Sequence, residues 1–209
     1  VYHNNKKETE LYFRINSNDV LYARKDKSQP YFANISIHYE LFGLESKKLI
    51  LDSATSKIVD ETVKKHSKYL TGKIKIKTEY GKDYILRITA TDLNRNNSND
   101  QEIVLNKMNV NHPQFFLVKE KETGQLIYQN YINKSILVDI ISEENVGKHI
   151  HIQRFYRDFP IAAPPFSSTD TKKFDYKPNE HLQQIIPKEG TFSCVLPDSG
   201  FIHLQLDTS

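Results

Sequence analysis

The chain has 209 residues, 29 of them basic and 26 acidic, for a formal net charge of +3. So small and so evenly interspersed an excess excludes an electrostatic case for nucleic acid or an anionic membrane surface. Hydrophobic residues at 38% and charged residues at 26% exclude a disordered chain.

The length suits two all-β domains of about 100 residues each. The 12 Tyr and 11 Phe, beside abundant Ile and Leu, favour strands over helices. A single cysteine, Cys194, excludes an intrachain disulfide. No apolar run has the length of a membrane-spanning helix.

In chain order, residues 1–8 are polar and read as a loose terminus. Leu11, Phe13 and Ile15 alternate on one face of a first strand, and Val20–Ala23 reads as a second, short one. The clearest strand runs from Tyr31 to Leu41, with Ala33, Ile35, Ile37, Tyr39 and Leu41 facing one way and Asn34, Ser36, His38 and Glu40 the other. Lys73-Ile-Lys-Ile-Lys77 repeats the alternation with lysines outward, which also guards a sheet edge. Tyr84, Leu86, Ile88 and Ala90 then alternate inward, with Ile85 and Arg87 outward. Tyr84 resembles the tyrosine corner of immunoglobulin-like sandwiches and equally fits an ordinary half-buried strand tyrosine. A polar loop, Leu93–Asp100, returns through Ile103–Leu105.

Asn106–Pro113 reads as a boundary. Beyond it, strands are predicted at Phe115–Val118, Leu126–Tyr128, Ile136–Ile141, Ile150–Tyr156, Phe174–Tyr176, Leu182–Ile186, Phe192–Leu196 and Ile202–Leu206, with a short helical turn as an alternative over Glu180–Ile186. The fold class is therefore all-β, two tandem immunoglobulin-like antiparallel β-sandwich domains at 1–109 and 110–209.

Sites are weighed on their chemistry. Asp92-x-Asn94-x-Asn96-x-Ser98-x-Asp100 has the oxygen spacing of a calcium loop, but Asn97 and Ile103 stand where an EF-hand needs Gly and a bidentate Glu. Turn-forming polar residues are the simpler reading. His149 and His151 share a strand face without a local third ligand. Cys194 lies in an apolar alternation that raises a thiol pKa. Glu143 and Glu144 lie in a polar loop, and neither a G-x-S-x-G elbow nor a Gly-rich phosphate loop occurs. The chain thus reads as no enzyme, with no cofactor and no metal. The candidate binding residues are Phe159, Pro160, Pro164, Pro165 and Phe166, in a segment whose prolines forbid a ladder. Tyr12, Phe32 and Tyr131 are candidates to extend that patch.

Leu11-Tyr-Phe-Arg-Ile-Asn, Val20-Leu-Tyr-Ala-Arg24 and the strand ending His38-Tyr-Glu-Leu41 resemble the start of bacterial GWxTD-domain proteins. So do Phe155-Tyr156, Phe159-Pro160, Pro164-Pro-Phe-Ser167 and the closing Gly200-Phe-Ile-His-Leu-Gln-Leu-Asp207. The naming motif, Gly-Trp-x-Thr-Asp, is absent, and the chain contains no Trp. The resemblance implies the N-terminal β-sandwich region of a longer Gram-negative envelope protein, in the periplasm or at the cell surface, lipid-anchored to the outer membrane in the full protein. It implies as partners other envelope proteins or a C-terminal domain outside this chain. The expected function is non-catalytic protein–protein interaction and scaffolding. The alternatives are a carbohydrate-binding module, which the lack of Trp disfavours, and an accessory region of an enzyme whose catalytic domain lies elsewhere.

Overall fold

The computed structural model describes residues 1–24, 26–45, 49–62, 68–128, 134–156, 177–197 and 200–207. Every named strand pair is antiparallel, and among the described residues there is no α-helix. Among the described residues no helix is long and apolar enough to cross a membrane. The chain divides into two compact units, Val1–Phe115 and Phe116–Ser209.

Among its described residues the first unit holds seven strands: β1 (Tyr2–Asn5), β2 (Glu8–Asn16), β3 (Tyr31–Gly43), β4 (Ile50–Thr62), β5 (Tyr69–Lys77), β6 (Asp83–Asp92) and β7 (Asn97–Asn106). They form a three-stranded sheet, β1-β2-β5, and a four-stranded sheet, β4-β3-β6-β7. The two share a core: Leu11 and Ile76 from the first meet Tyr39, Leu41, Tyr84, Leu86 and Leu105 from the second. Val20, Ala33, Ile35, Ile37 and Leu70 extend it. Burying each large apolar side chain contributes roughly 1.5–3 kcal/mol. The alternation of β3 is what commits it to this side; one residue of slip would turn Ile35, Ile37 and Tyr39 to water. At Gly72 the Phe13 ring lies over its cross-strand partner, and a Cβ there would come within 2.4 Å of it.

Several expectations for this unit are corrected. The opening residues are not loose: β1 pairs with β2, and Tyr2 and His3 are buried. Val20–Ala23 makes no strand, only a single bridge from Ala23 to Phe32. The polar loop after β6 is shorter than expected, because the β6–β7 ladder runs out to Asp92 and Asn97 and leaves only residues 93–96 to turn the chain, with Asn96 at φ 55°. Ile85 is not outward and wet; it is buried on the outer side of the sheet, paired with the buried Phe42 of β3. Strand β4 had no sequence signature, since its half-buried positions include Asp52 and Asp60. Those carboxylates accept hydrogen bonds from the hydroxyls of Tyr39 (2.9 Å) and Tyr22 (2.8 Å), so polar groups sit where an alternation would put apolar ones. Burial, and then the neighbouring carboxylate, pushes both phenols up to about 12.

The second unit has β8 (Leu117–Glu120), β9 (Ile136–Ile141), β10 (His149–Phe155), β11 (Glu180–Ile185), β12 (Thr191–Leu196) and β13 (Phe201–Leu206), arranged as the sheets β12-β9-β8 and β11-β10-β13. Val138, Ile140 and Phe192 from one sheet pack with Ile150, Ile152 and Leu206 from the other. Glu180–Ile185 is strand, not a helical turn, because each of its residues has a partner on β10. Leu126 contributes a single bridge rather than a strand.

Candidate functional site

The expected binding residues Phe159, Pro160, Pro164, Pro165 and Phe166 lie outside the described residues, as do Tyr131 and the strand expected at Phe174–Tyr176. What is described are the two ends of the connection that carries them. The Tyr156 amide donates to Asn179 Oδ1 (2.8 Å), and the Asn179 amide to the Arg154 carbonyl (2.8 Å), which clamps both ends beside the last residues of β10.

The other candidates lie at separate places in the fold. Asp92 caps the β6–β7 turn: its carboxylate accepts from the amides of Leu21 (2.7 Å), Asn94 (3.0 Å) and Arg95 (3.1 Å). Asn94 donates to the carbonyls of Leu21 (2.9 Å) and Phe32 (2.8 Å). Ser98 and Asp100 belong to β7 instead of the turn. Cys194 faces the core of its unit, and burial pushes its thiol up to about 11. Glu143 and Glu144 open a short 3-10 turn. Tyr12 and Phe32 are half-buried and on different sheets. Tyr84 is buried, and its hydroxyl accepts the Glu79 amide (2.9 Å) and donates to the Glu79 carbonyl (3.4 Å), which is the geometry of a tyrosine corner.

A buried polar cluster in the first unit has no local signature in the sequence. His3 contacts Thr9 Oγ1 (2.8 Å) through Nδ1, and through Nε2 the Asn106 carbonyl and Gln114 Oε1 (3.1 Å each). Thr9 bonds Thr78 (2.7 Å), and the buried Lys107 ammonium donates to Thr78 (2.9 Å) and to the carbonyls of Asn5 (2.8 Å) and Glu8 (3.2 Å). Burial, with the Lys107 charge second, lowers the His3 pKa to about 4. The cluster ties the first strand to the last residues of the unit; its only sequence signal is a polar stretch at each end.

The feature that stands apart is the outer face of the β11-β10-β13 sheet. Since Ile150 and Ile152 face the core, His149, His151, Gln153 and Phe155 face away. Their register partners are Ile185, Gln183 and His181 on β11 and Gln205, His203 and Phe201 on β13. None of these ten residues carries a carboxylate, ammonium or guanidinium, in a chain that is 26% charged. Four of the chain's 8 histidines lie here. The Arg154–Glu180 ion pair (3.4 Å) belongs to the opposite side of the same strands. The other three sheets do carry ion pairs on their outer sides: Lys73–Glu10 and Lys75–Glu8, Arg87 with Glu102 and Glu40, and Lys121–Asp139.

Within this face the polar groups bond one another. His151 Nδ1 and His181 Nε2 are 3.0 Å apart, His149 Nδ1 meets Gln183 Nε2 at 3.2 Å, and His203 Nδ1 meets Gln153 Oε1 at 3.1 Å. His149 and His151, neighbours by alternation, do share the face, but the close contact of His151 runs diagonally across strands to His181. The register that makes it is invisible in the sequence. Phe155 and Phe201, paired side by side, give the face an aromatic end, with Phe201 54% exposed. Gly200, at φ +90°, lets the chain enter β13 there; a Cβ would lie 2.3 Å from the Phe155 carbonyl oxygen. Among the described residues no three His, Cys, Asp or Glu are grouped to hold a metal ion. Compared with known proteins, the chain matches no protein-family model and no curated protein.

Proposed function

We propose that the chain is a non-catalytic recognition region of a bacterial cell-envelope protein, built of two immunoglobulin-like sandwiches in tandem, that binds protein partners through its second unit. The observation that carries this reading is the outer face of β11-β10-β13, whose ten strand residues include no Lys, Arg, Asp or Glu. The buried centre of a protein interface is marked by depletion of charge and enrichment in aromatic residues, and this face has both. Three strands of six residues span roughly 300 Å2 at ordinary strand spacing. A stable interface takes about 800 Å2 from each partner. The described ends of the connection bearing Phe159, Pro160, Pro164, Pro165 and Phe166 lie beside the last residues of β10, and those five residues are the candidates for the remaining surface.

The immunoglobulin-like assignment of the first unit is supported by its strand order. Named A to G, with β4 in the C′ position, the order is A-B-E over C′-C-F-G, and Tyr84 opens strand F as a tyrosine corner does. The envelope setting rests on the resemblance to GWxTD-domain proteins.

A second reading, a neutral glycan as ligand, is favoured by one particular: the polar positions of the face are amides and imidazoles, which both donate to and accept from sugar hydroxyls. Capture of partners by the full-length protein from its own envelope, beside a Gln153→Glu/Phe201→Glu variant, tests both. Protein partners lost with the variant support the leading reading. Retention of the same partners refutes it, and variant-sensitive retention on a glycan array, with no protein captured, favours the second.

A further inference from the structure

We infer that His151 and His181 form a two-histidine site for a divalent transition metal of the copper(II) class. The two rings come from neighbouring strands of one rigid sheet, at diagonal register positions, because His151 pairs with Gln183 and Gln153 with His181. Their facing nitrogens are 3.0 Å apart, and the rings are inclined by only 24° with centroids 5.1 Å apart. At that separation the nitrogens share a proton in an N–H···N hydrogen bond. The same separation suits chelation: an ion about 2.05 Å from both nitrogens would subtend about 94°. That angle belongs to the tetragonal coordination of Cu(II) or Ni(II), not to the wider tetrahedral angle of zinc.

Binding requires little of the protein. The donor ring shifts to its other tautomer, moving its proton to the far nitrogen, and small side-chain rotations turn both lone pairs toward the ion. No proton is lost overall, and water completes the coordination. None of the ten strand residues of the face is a Lys or Arg that would repel a metal. This inference stands apart from the proposed partner binding and does not depend on it.

The test is titration of the full chain with CuCl2, followed by calorimetry and electron paramagnetic resonance. A short Ser-Gly extension ahead of Val1 keeps a free terminal amine away from His3. The expected result is one Cu(II) per chain with an axial spectrum showing nitrogen coupling. Loss of either ligand, in His151→Ala or His181→Ala, weakens binding roughly tenfold or more, while His203→Ala and His38→Ala leave it unchanged. Circular dichroism of the variants confirms that the sheet persists. Superimposable titrations of wild type, His151→Ala and His181→Ala would overturn the inference, as would the absence of binding at mid-micromolar copper.

Discussion

Replacing Tyr84 by Phe removes one atom from the structure. The side chain is 4% exposed, and its ring packs in the shared core of the first unit. Phe keeps that ring, so no cavity term enters. What is lost is the hydroxyl that accepts the Glu79 amide at 2.9 Å and donates more weakly to its carbonyl at 3.4 Å. Leaving a buried donor without its partner costs about 1–3 kcal/mol. Glu79 itself is exposed, so water relieves part of the loss and places the expected cost at about 1–2 kcal/mol. For a domain of this size that lowers the thermal midpoint by about 5–15 °C. Urea and thermal melts of the full chain, read by circular dichroism, measure it. Arg87→Gln is the comparison: Arg87 is exposed and pairs with Glu102 and Glu40, so its loss costs less than about 1 kcal/mol. Equal and negligible losses in the two variants would refute the tyrosine corner and leave the immunoglobulin-like reading resting on strand order alone.

Ile85→Ala should cost about 2–4 kcal/mol, a full core penalty, although alternation puts the residue on the outer side; equilibrium unfolding decides. His3 makes the first unit acid-sensitive. Its folded pKa of about 4 lies below the unfolded 6.5, so the unfolded chain binds more protons between those values. The contribution, up to roughly 3 kcal/mol, is complete above pH 6.5 and lost as pH falls toward 4. Unfolding free energy measured across that window should slope more steeply for wild type than for His3→Asn. Asp92→Ala strips three amides of their acceptor and should cost about 2–3 kcal/mol, while millimolar calcium should leave the wild-type melting midpoint where it was. A calcium-induced rise that Asp92→Ala abolishes would reverse the assignment of that turn.

What the sequence makes legible here is burial on one side of a strand. β3, β6 and β10 were plain because Ile, Leu and Tyr recur at every second position and face a core. β1 and β4 were not, for a shared reason: both are edge strands with polar residues among their inward positions, satisfied by partners on other parts of the unit. His3 finds Asn106 and Gln114, and Asp52 and Asp60 find Tyr39 and Tyr22. No local pattern announces such bonds. Ile85 misled because alternation assigns a face but not whether that face is covered, and Phe42 covers it. The outer face of β11-β10-β13 was the least legible feature. Its ten residues come from three strands, and only the register of β10 against β11 and β13 assembles them; read singly, each His or Gln is an ordinary wet-face residue.

Hydroxyl-radical footprinting of the native complex tests the central claim most directly, because His, Phe and Tyr side chains report their own coverage. The account predicts that the captured partner shields Phe201, His151, His181 and His203, while Tyr69, Tyr80 and Met108, exposed on the first unit, oxidise as before. Shielding of those first-unit residues, with the β11-β10-β13 face still open to oxidation, would contradict it.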